Sequence, residues 1–180
     1  TLEKDGVKLR ALYKNYDSNL DYTPSFSLSS SKKEFDRYQY EIAAYKLDRL
    51  LELNRVPVAV ERAVHARRGV VQYWINGAIT ETERKQQNIP VTGPCSLDDQ
   101  TQLRIMFDIL IYNNDRNLGN LLFRKNDWSL WLIDHSQAFN SIKRAREFAR
   151  PPMYKNAELT LSPWMRSRLE RLTYEQLHTE

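Results

Sequence analysis

Asp115, Asn120 and Asp134 are the side chains whose types and spacing could do chemistry. The first two stand in the polar stretch Asn113-Asn114-Asp115-Arg116-Asn117-Leu118-Gly119-Asn120, and the third follows the apolar run Trp131-Leu132-Ile133. Phosphoryl transfer asks little covalent chemistry of a protein, but it needs a carboxylate to orient the attacking hydroxyl and oxygen ligands to hold magnesium against the phosphates. Magnesium prefers hard oxygen ligands and usually takes only one or two from protein side chains. The amide oxygen of Asn120 and the carboxylate of Asp134 would suffice, leaving Asp115 to handle the hydroxyl. A plainer reading stays open, because Asp and Asn also serve well as turn caps. Asn126-Asp127 tolerate tight backbone geometry, so Leu121-Leu122-Phe123 and Trp131-Leu132-Ile133 are expected to form a hairpin that delivers Asp134.

The interval of five residues from Asp115 to Asn120 is the one protein kinases keep between catalytic-loop Asp and metal-binding Asn. Asp115-Arg116-Asn117-Leu118-Gly119-Asn120-Leu121-Leu122-Phe123, followed by Leu132-Ile133-Asp134-His135-Ser136-Gln137-Ala138-Phe139, resembles the catalytic and metal-binding loops of the phosphatidylinositol 3- and 4-kinase-like branch of the kinase superfamily. It is also similar to the loops of HipA-type kinases and of the Golgi secretory-pathway kinases. The resemblance implies a two-lobed kinase with ATP in the cleft. It carries over a catalytic role for Asp115, with Arg116 positioning the loop through a nearby carboxylate, and magnesium (or manganese) held by Asn120 and Asp134. It further implies a phosphate-gripping Lys14 paired with a helix acid, Glu41, and adenine held by the backbone of Tyr73, Trp74 and Ile75. Asn117 stands where those families commonly carry His, and Ser136 stands where the metal-binding motif usually ends in Gly.

The elements that must position these residues can be read in outline. Asp5-Gly6 is a hairpin turn signal, and Lys8 to Lys14 alternate as a half-buried strand does, with Lys14 at its end. A strand-ending surface Lys is the commonplace alternative. Tyr16 to Ser31 reads as a loop, and Ser31-Lys32-Lys33-Glu34 as a capping box opening a helix that runs to about Leu53. Phe35, Tyr38, Ile42 and Tyr45 would give that helix its apolar face. Glu41 sits in apolar company on it, and Glu34 is its rival for the pairing role. Val56 to Val60 and Gly69 to Ile75 read as strands separated by a basic turn around Arg67-Arg68-Gly69, with Trp74 equally explicable as core. The polar stretch Thr80 to Pro94 separates the regular elements of the lobes. Ser96-Leu97-Asp98-Asp99 then caps a helix whose Leu103, Met106, Phe107, Leu110 and Ile111 bury one face before the catalytic loop. After Phe139 the chain turns basic, and Lys143-Arg144-Ala145-Arg146 could meet a phosphate or an acidic substrate. Short helices are expected from Ser162-Pro163 and from Thr173.

Composition bounds the rest. The 180 residues are 41% hydrophobic and 28% charged with a formal charge of +4, values of an ordinary globular chain. Lys and Arg are dispersed among acids, which argues against nucleic acid. No run approaches the roughly 20 apolar residues of a membrane span, and the polar start does not read as a signal peptide. The lone Cys95 forms no internal disulfide and fits a reducing, cytoplasmic setting. Compared with kinase-like families the chain starts late, without a Gly-rich phosphate loop before Lys14, and ends early, as a truncated or reduced member would.

These readings converge on an α+β, two-lobed protein-kinase-like fold. Residues 1–78 are expected to form a small β-rich N-lobe with the hinge, and residues 79–180 a mainly helical C-lobe. The expected activity is ATP- and Mg-dependent transfer to a hydroxyl by a monomer. Asn117 in place of the lipid-kinase His tilts the acceptor toward protein rather than lipid or a small molecule. The alternative is a nucleotide-binding pseudokinase or scaffold. A metal-dependent hydrolase using Asp115, Asp134 and His135 is disfavoured, because adjacent strand residues point to opposite faces.

Overall fold

The structure, a computed structural model, describes residues 1–17, 36–139 and 150–179. It is an α+β fold of the kinase-like kind, built on small antiparallel sheets and several helices. Strands β1 (Leu2–Lys4) and β2 (Val7–Leu9) form an exposed hairpin closed by Asp5 and Gly6, both at positive φ (52° and 77°). The strand expected from Lys8 to Lys14 is interrupted at Arg10. Its second half, β3 (Ala11–Lys14), leaves the hairpin and pairs with a different sheet.

That sheet runs β3-β5-β4, with β4 at Ala59–Val64 and β5 at Arg67–Tyr73. Its turn falls at His65 and Ala66, in left-handed conformation (φ 49° and 63°), rather than at Arg67-Arg68-Gly69. Gly69 lies inside β5 instead. A Cβ there would fall on the Lys14 carbonyl oxygen and the ring of Tyr13, so the missing side chain is what lets the Lys14 strand close on its neighbour.

Helix α1 (Tyr38–Leu50) packs across β4 and β5. It does not continue from the Ser31 box: Arg37, just before it, is extended (φ −135°, ψ 129°) and bridges Asp17. The box itself, with Glu34 and Phe35, lies outside the described residues. The buried face of α1 is Tyr38, Glu41, Ala44, Leu47 and Asp48, turned slightly from the apolar stripe expected through Ile42 and Tyr45. Two carboxylates on the inner face mislead a reading that counts apolar residues alone.

A third sheet, β6-β7-β8, joins Ala78–Thr80, Leu121–Arg124 and Ser129–Leu132, all antiparallel. The hairpin between β7 and β8 is as expected, although Trp128 rather than Asn126 or Asp127 takes the left-handed position (φ 53°). Helix α2 (Glu81–Gln86) occupies part of the stretch expected to lack regular structure. Thr80 and Glu83 cap it reciprocally, a Thr-x-x-Glu signal present in the sequence. Helix α3 (Leu97–Leu110) begins at the Ser96 cap, and α4 (Pro163–Glu170) and α5 (Tyr174–Thr179) lie where the caps placed them.

Among the described residues a small cluster of Tyr38, Ala59 and Val70 packs α1 on the β3-β5-β4 sheet, and a larger one joins α1, α3 and the β7-β8 hairpin. Ala44, Leu47 and Leu51 from α1 and its end, Met106, Phe107 and Ile111 from α3, and Phe123, Leu130 and Leu132 from the β7-β8 hairpin share a single cluster. Phe107 is fully buried, and truncating such a side chain to Ala costs about 3–5 kcal/mol. Leu110 departs from the expected buried face and is 40% exposed. Trp74 is not core: it is 43% exposed, with the Arg10 guanidinium 4.9 Å from its ring centroid.

Candidate active site

Lys14, at the end of β3, is the centre of the site. Its Nζ donates to Glu41 Oε1 at 2.6 Å and to Asp134 Oδ1 at 2.9 Å. These contacts join residues 27 and 120 positions apart, so the strand, the helix and the metal-loop carboxylate expected from sequence do converge. Burial works against the ammonium, but the Glu41 and Asp134 charges outweigh it and raise the Lys14 pKa. Glu41 is fully buried on α1. Burial opposes its charge as well, yet the hydrogen bond from His135 and the Lys14 ammonium hold its pKa down at about 2.

Asp134 follows β8 with φ 61°, a left-handed residue that swings the chain away from the strand. That turn leaves its carboxylate partly open to solvent beside Lys14 while His135 points inward. Both residues lie beyond β8, so strand alternation does not separate them, and His135 is fully buried with Nδ1 3.3 Å from Glu41 Oε2.

The catalytic-loop residues are set by a buried polar network. Helix α3 ends at a left-handed Tyr112 (φ 52°), after which Asn113 reaches back to Asp108 (3.1 Å) and receives the Asp115 amide (3.0 Å). Arg116 forks onto Asp108, with Nη2 to Oδ1 at 2.8 Å and Nε to Oδ2 at 3.0 Å. Its Nη1 donates to the carbonyls of Asn120 (3.0 Å) and Ile133 (2.6 Å). One guanidinium thus fixes the residue bearing the Asn120 amide and the residue before Asp134 to the same buried carboxylate. Arg116 is therefore a positioning group, and the nearby carboxylate anticipated for it is Asp108.

Asp115 itself is exposed. Partial burial raises its pKa, followed by the charges of Asp134 and Asp36, which places those carboxylates in electrostatic reach of one another. Asn120 Nδ2 donates to the Asp115 carbonyl at 3.3 Å, which leaves its amide oxygen as the atom a cation could take. That oxygen and the half-exposed Asp134 carboxylate are hard ligands of the kind magnesium takes, so the residues present fit a divalent cation. Among the described residues no group of three or more His, Cys, Asp or Glu forms a denser metal cluster. Asn117 caps the short 3-10 turn Leu118–Asn120 by accepting from Gly119 N at 2.9 Å. The Asn117 side chain thus does a structural job here.

At the connector, Tyr73 is the last residue of β5, Trp74 is exposed and Ile75 is buried. The amides of Tyr73 and Trp74 are already given to Val58 O (2.8 Å) and Arg10 O (3.1 Å), so neither N–H could serve the adenine contacts expected there. The basic run Lys143-Arg144-Ala145-Arg146 lies outside the described residues.

Sequence reasoning missed Asp108 and Tyr154. Tyr154 is buried and donates its hydroxyl to Asp108 Oδ2 at 2.6 Å, tying the segment after the metal loop to the catalytic loop. Asp108 carried a readable signal, an acid between Phe107 and Ile109 on a helix otherwise facing the core. Tyr154 carried none, because only the tertiary fold brings it there.

The family model of HipA-like kinases matches residues 74–179. The model of the C-terminal part of the Fam20 Golgi casein kinases matches residues 10–105. Each covers more than half of the chain. The chain belongs to an atypical kinase family, that of the HipA-like and Fam20-type kinases. The first match contains Asp115, Asn120 and Asp134, and the second contains Lys14 and Glu41, so between them the two matches span all five candidate residues. No curated protein matches the chain significantly.

Proposed function

We propose that this atypical kinase transfers the γ-phosphoryl of ATP to a hydroxyl, in a cleft between an N-lobe of residues 1–78 and a C-lobe of residues 79–180. The observation that carries the reading is the placement of Lys14 Nζ between Glu41 and Asp134. A buried acid that orients an ammonium beside a partly open carboxylate is the arrangement that phosphate and cation binding require. Lys14 would grip the phosphates, Glu41 would hold Lys14 in place, and Asp115 would orient the acceptor hydroxyl and take its proton. Asn120 and Asp134 would hold magnesium, or manganese in its place, which when bound supplies neutralisation of the phosphate charge. A protein hydroxyl is the acceptor we favour, since Asn117 replaces the imidazole of the lipid kinases. A place in the phosphatidylinositol 3-/4-kinase-like branch rests on the two loop motifs alone.

Titration calorimetry with a non-hydrolysable ATP analogue tests the reading. Wild type should bind with magnesium and weakly without it, and Asp134→Ala should lose the magnesium-dependent part while its thermal unfolding stays cooperative. A mutant that binds as tightly as wild type would remove Asp134 from the site. Tight binding by wild type without transfer to any protein hydroxyl would make the chain a nucleotide-binding module instead.

A further inference from the structure

The residue after Asp134 is His135. It is fully buried, and its ring stands edge-on to Phe107 with centroids 6.0 Å apart. Its Nδ1 lies 3.3 Å from Glu41 Oε2, while the other carboxylate oxygen, Oε1, accepts from Lys14. Its Nε2 is buried with no hydrogen-bond partner among the described residues. Packing alone does not favour such a residue, because Leu or Phe would fill the space without an unpartnered ring nitrogen. The histidine is explained by the bond it makes at its other nitrogen. A carboxylate that close requires a proton on Nδ1, so the ring donates to Glu41 through that nitrogen.

We propose that His135 is a positioning residue, which holds one oxygen of Glu41 so that the other presents Lys14 to the phosphates. The proposal rests on the kinase reading of Lys14 and extends it. Helix α1 could otherwise carry Glu41 away from the metal loop. His135 ties the helix to the residue next to Asp134, and the Arg37 amide, donating to Ser136 O at 2.9 Å, adds a second tie between the same segments. The orientation of Lys14 thereby depends on the metal loop being in place, and loop and helix set the phosphate grip together.

Two variants separate the donor from the ring. His135→Phe keeps a ring against Phe107 and loses the donor; His135→Asn keeps a donor at the Nδ1 position and loses the ring. The first readout is acetylation of Lys14 by acetic anhydride in the full chain, quantified by peptide mass spectrometry against exposed Lys8. The second is kcat and KM for ATP, and the third is the midpoint of thermal unfolding. Lys14 in His135→Phe should label at least threefold faster than in wild type, with kcat reduced tenfold or more and KM changed less. His135→Asn should stay within about twofold of wild type in labelling and kcat, although it melts at lower temperature. Unchanged Lys14 protection in His135→Phe would overturn the proposal. So would losses that follow the melting temperature across both variants. A wild type that neither binds nor turns over ATP would sink the kinase reading, while the labelling series would still decide whether His135 positions Lys14.

Discussion

Asp115 is exposed and bonds to Asn113, Asn117 and Asn120 through its backbone, so among the described residues its carboxylate is left to meet an acceptor. Asp115→Asn should lower kcat by about 100- to 10,000-fold, the range of a lost general base, while leaving ATP-analogue binding within a few-fold of wild type. Steady-state kinetics beside calorimetry checks both halves. The direction of the Asp115 pKa sets the acid limb of the pH profile. The base form is the ionised one, and partial burial with the Asp134 charge raises the pKa, so kcat should fall from a higher pH than an ordinary Asp would give. Adding magnesium screens Asp134 and should move that limb to lower pH. A limb that does not move with magnesium would mean that the two carboxylates are not coupled. At this scale the meeting of Lys14, Glu41 and Asp134 was legible, because each is a polar group in a place that apolar periodicity or a motif marks as special. The connector was less so, since which amides are already spent in strand pairing is decided by β3 and by the chain near Val58, far from Tyr73 in sequence.

Among elements, the junction of α3, the catalytic loop and the segment at Tyr154 is held by a carboxylate with three partners, Arg116, Asn113 and Tyr154. Removing the guanidinium leaves Asp108 as a buried unpaired charge. Arg116→Ala should therefore cost about 3–5 kcal/mol in urea unfolding, and Arg116→Lys should recover little, since an ammonium cannot fork across the carboxylate and two carbonyls. Tyr154→Phe removes one neutral donor and should cost about 1–2 kcal/mol. Equal losses for Tyr154→Phe and Arg116→Ala would contradict this ranking. The caps at Ser96 and Ser162 and the β7-β8 hairpin were readable because the signals are local. The start of α1, the turn at His65-Ala66 and the break at Arg10 were not. Each is fixed by a partner distant in sequence: Asp17 for Arg37, and β5 for β3 and β4.

For the whole molecule, Asp48 at the end of α1 sets the pH response. It is fully buried, and its Oδ1 accepts from Arg55 N (2.8 Å) and Val56 N (3.2 Å), holding the turn out of the helix. Burial pushes its pKa up to about 6 from 3.8, so the folded chain binds the proton more tightly than the unfolded one. Asp48 therefore lowers stability progressively as pH rises from about 4 to about 6. Asp48→Asn keeps the accepting oxygen and should remove that decline, gaining on the order of 1–3 kcal/mol at pH 7 and little at pH 4. Urea midpoints at both pH values decide it. Glu41 acts in the opposite sense: its contribution is present above about 4.5 and is lost as pH falls toward about 2. The contact between Lys14 and Asp134 has a last consequence, one of electroneutrality. Among the described residues the Lys14 ammonium is shared by the carboxylates of Glu41 and Asp134, Asp134 also acts on the Asp115 carboxyl, and Arg116 is already committed to Asp108. Among the described residues a bare triphosphate would thus meet carboxylates beside its lysine. The nucleotide should enter as its complex with a divalent ion, and raising ionic strength should help the uncomplexed nucleotide more than the complex, which carries less negative charge.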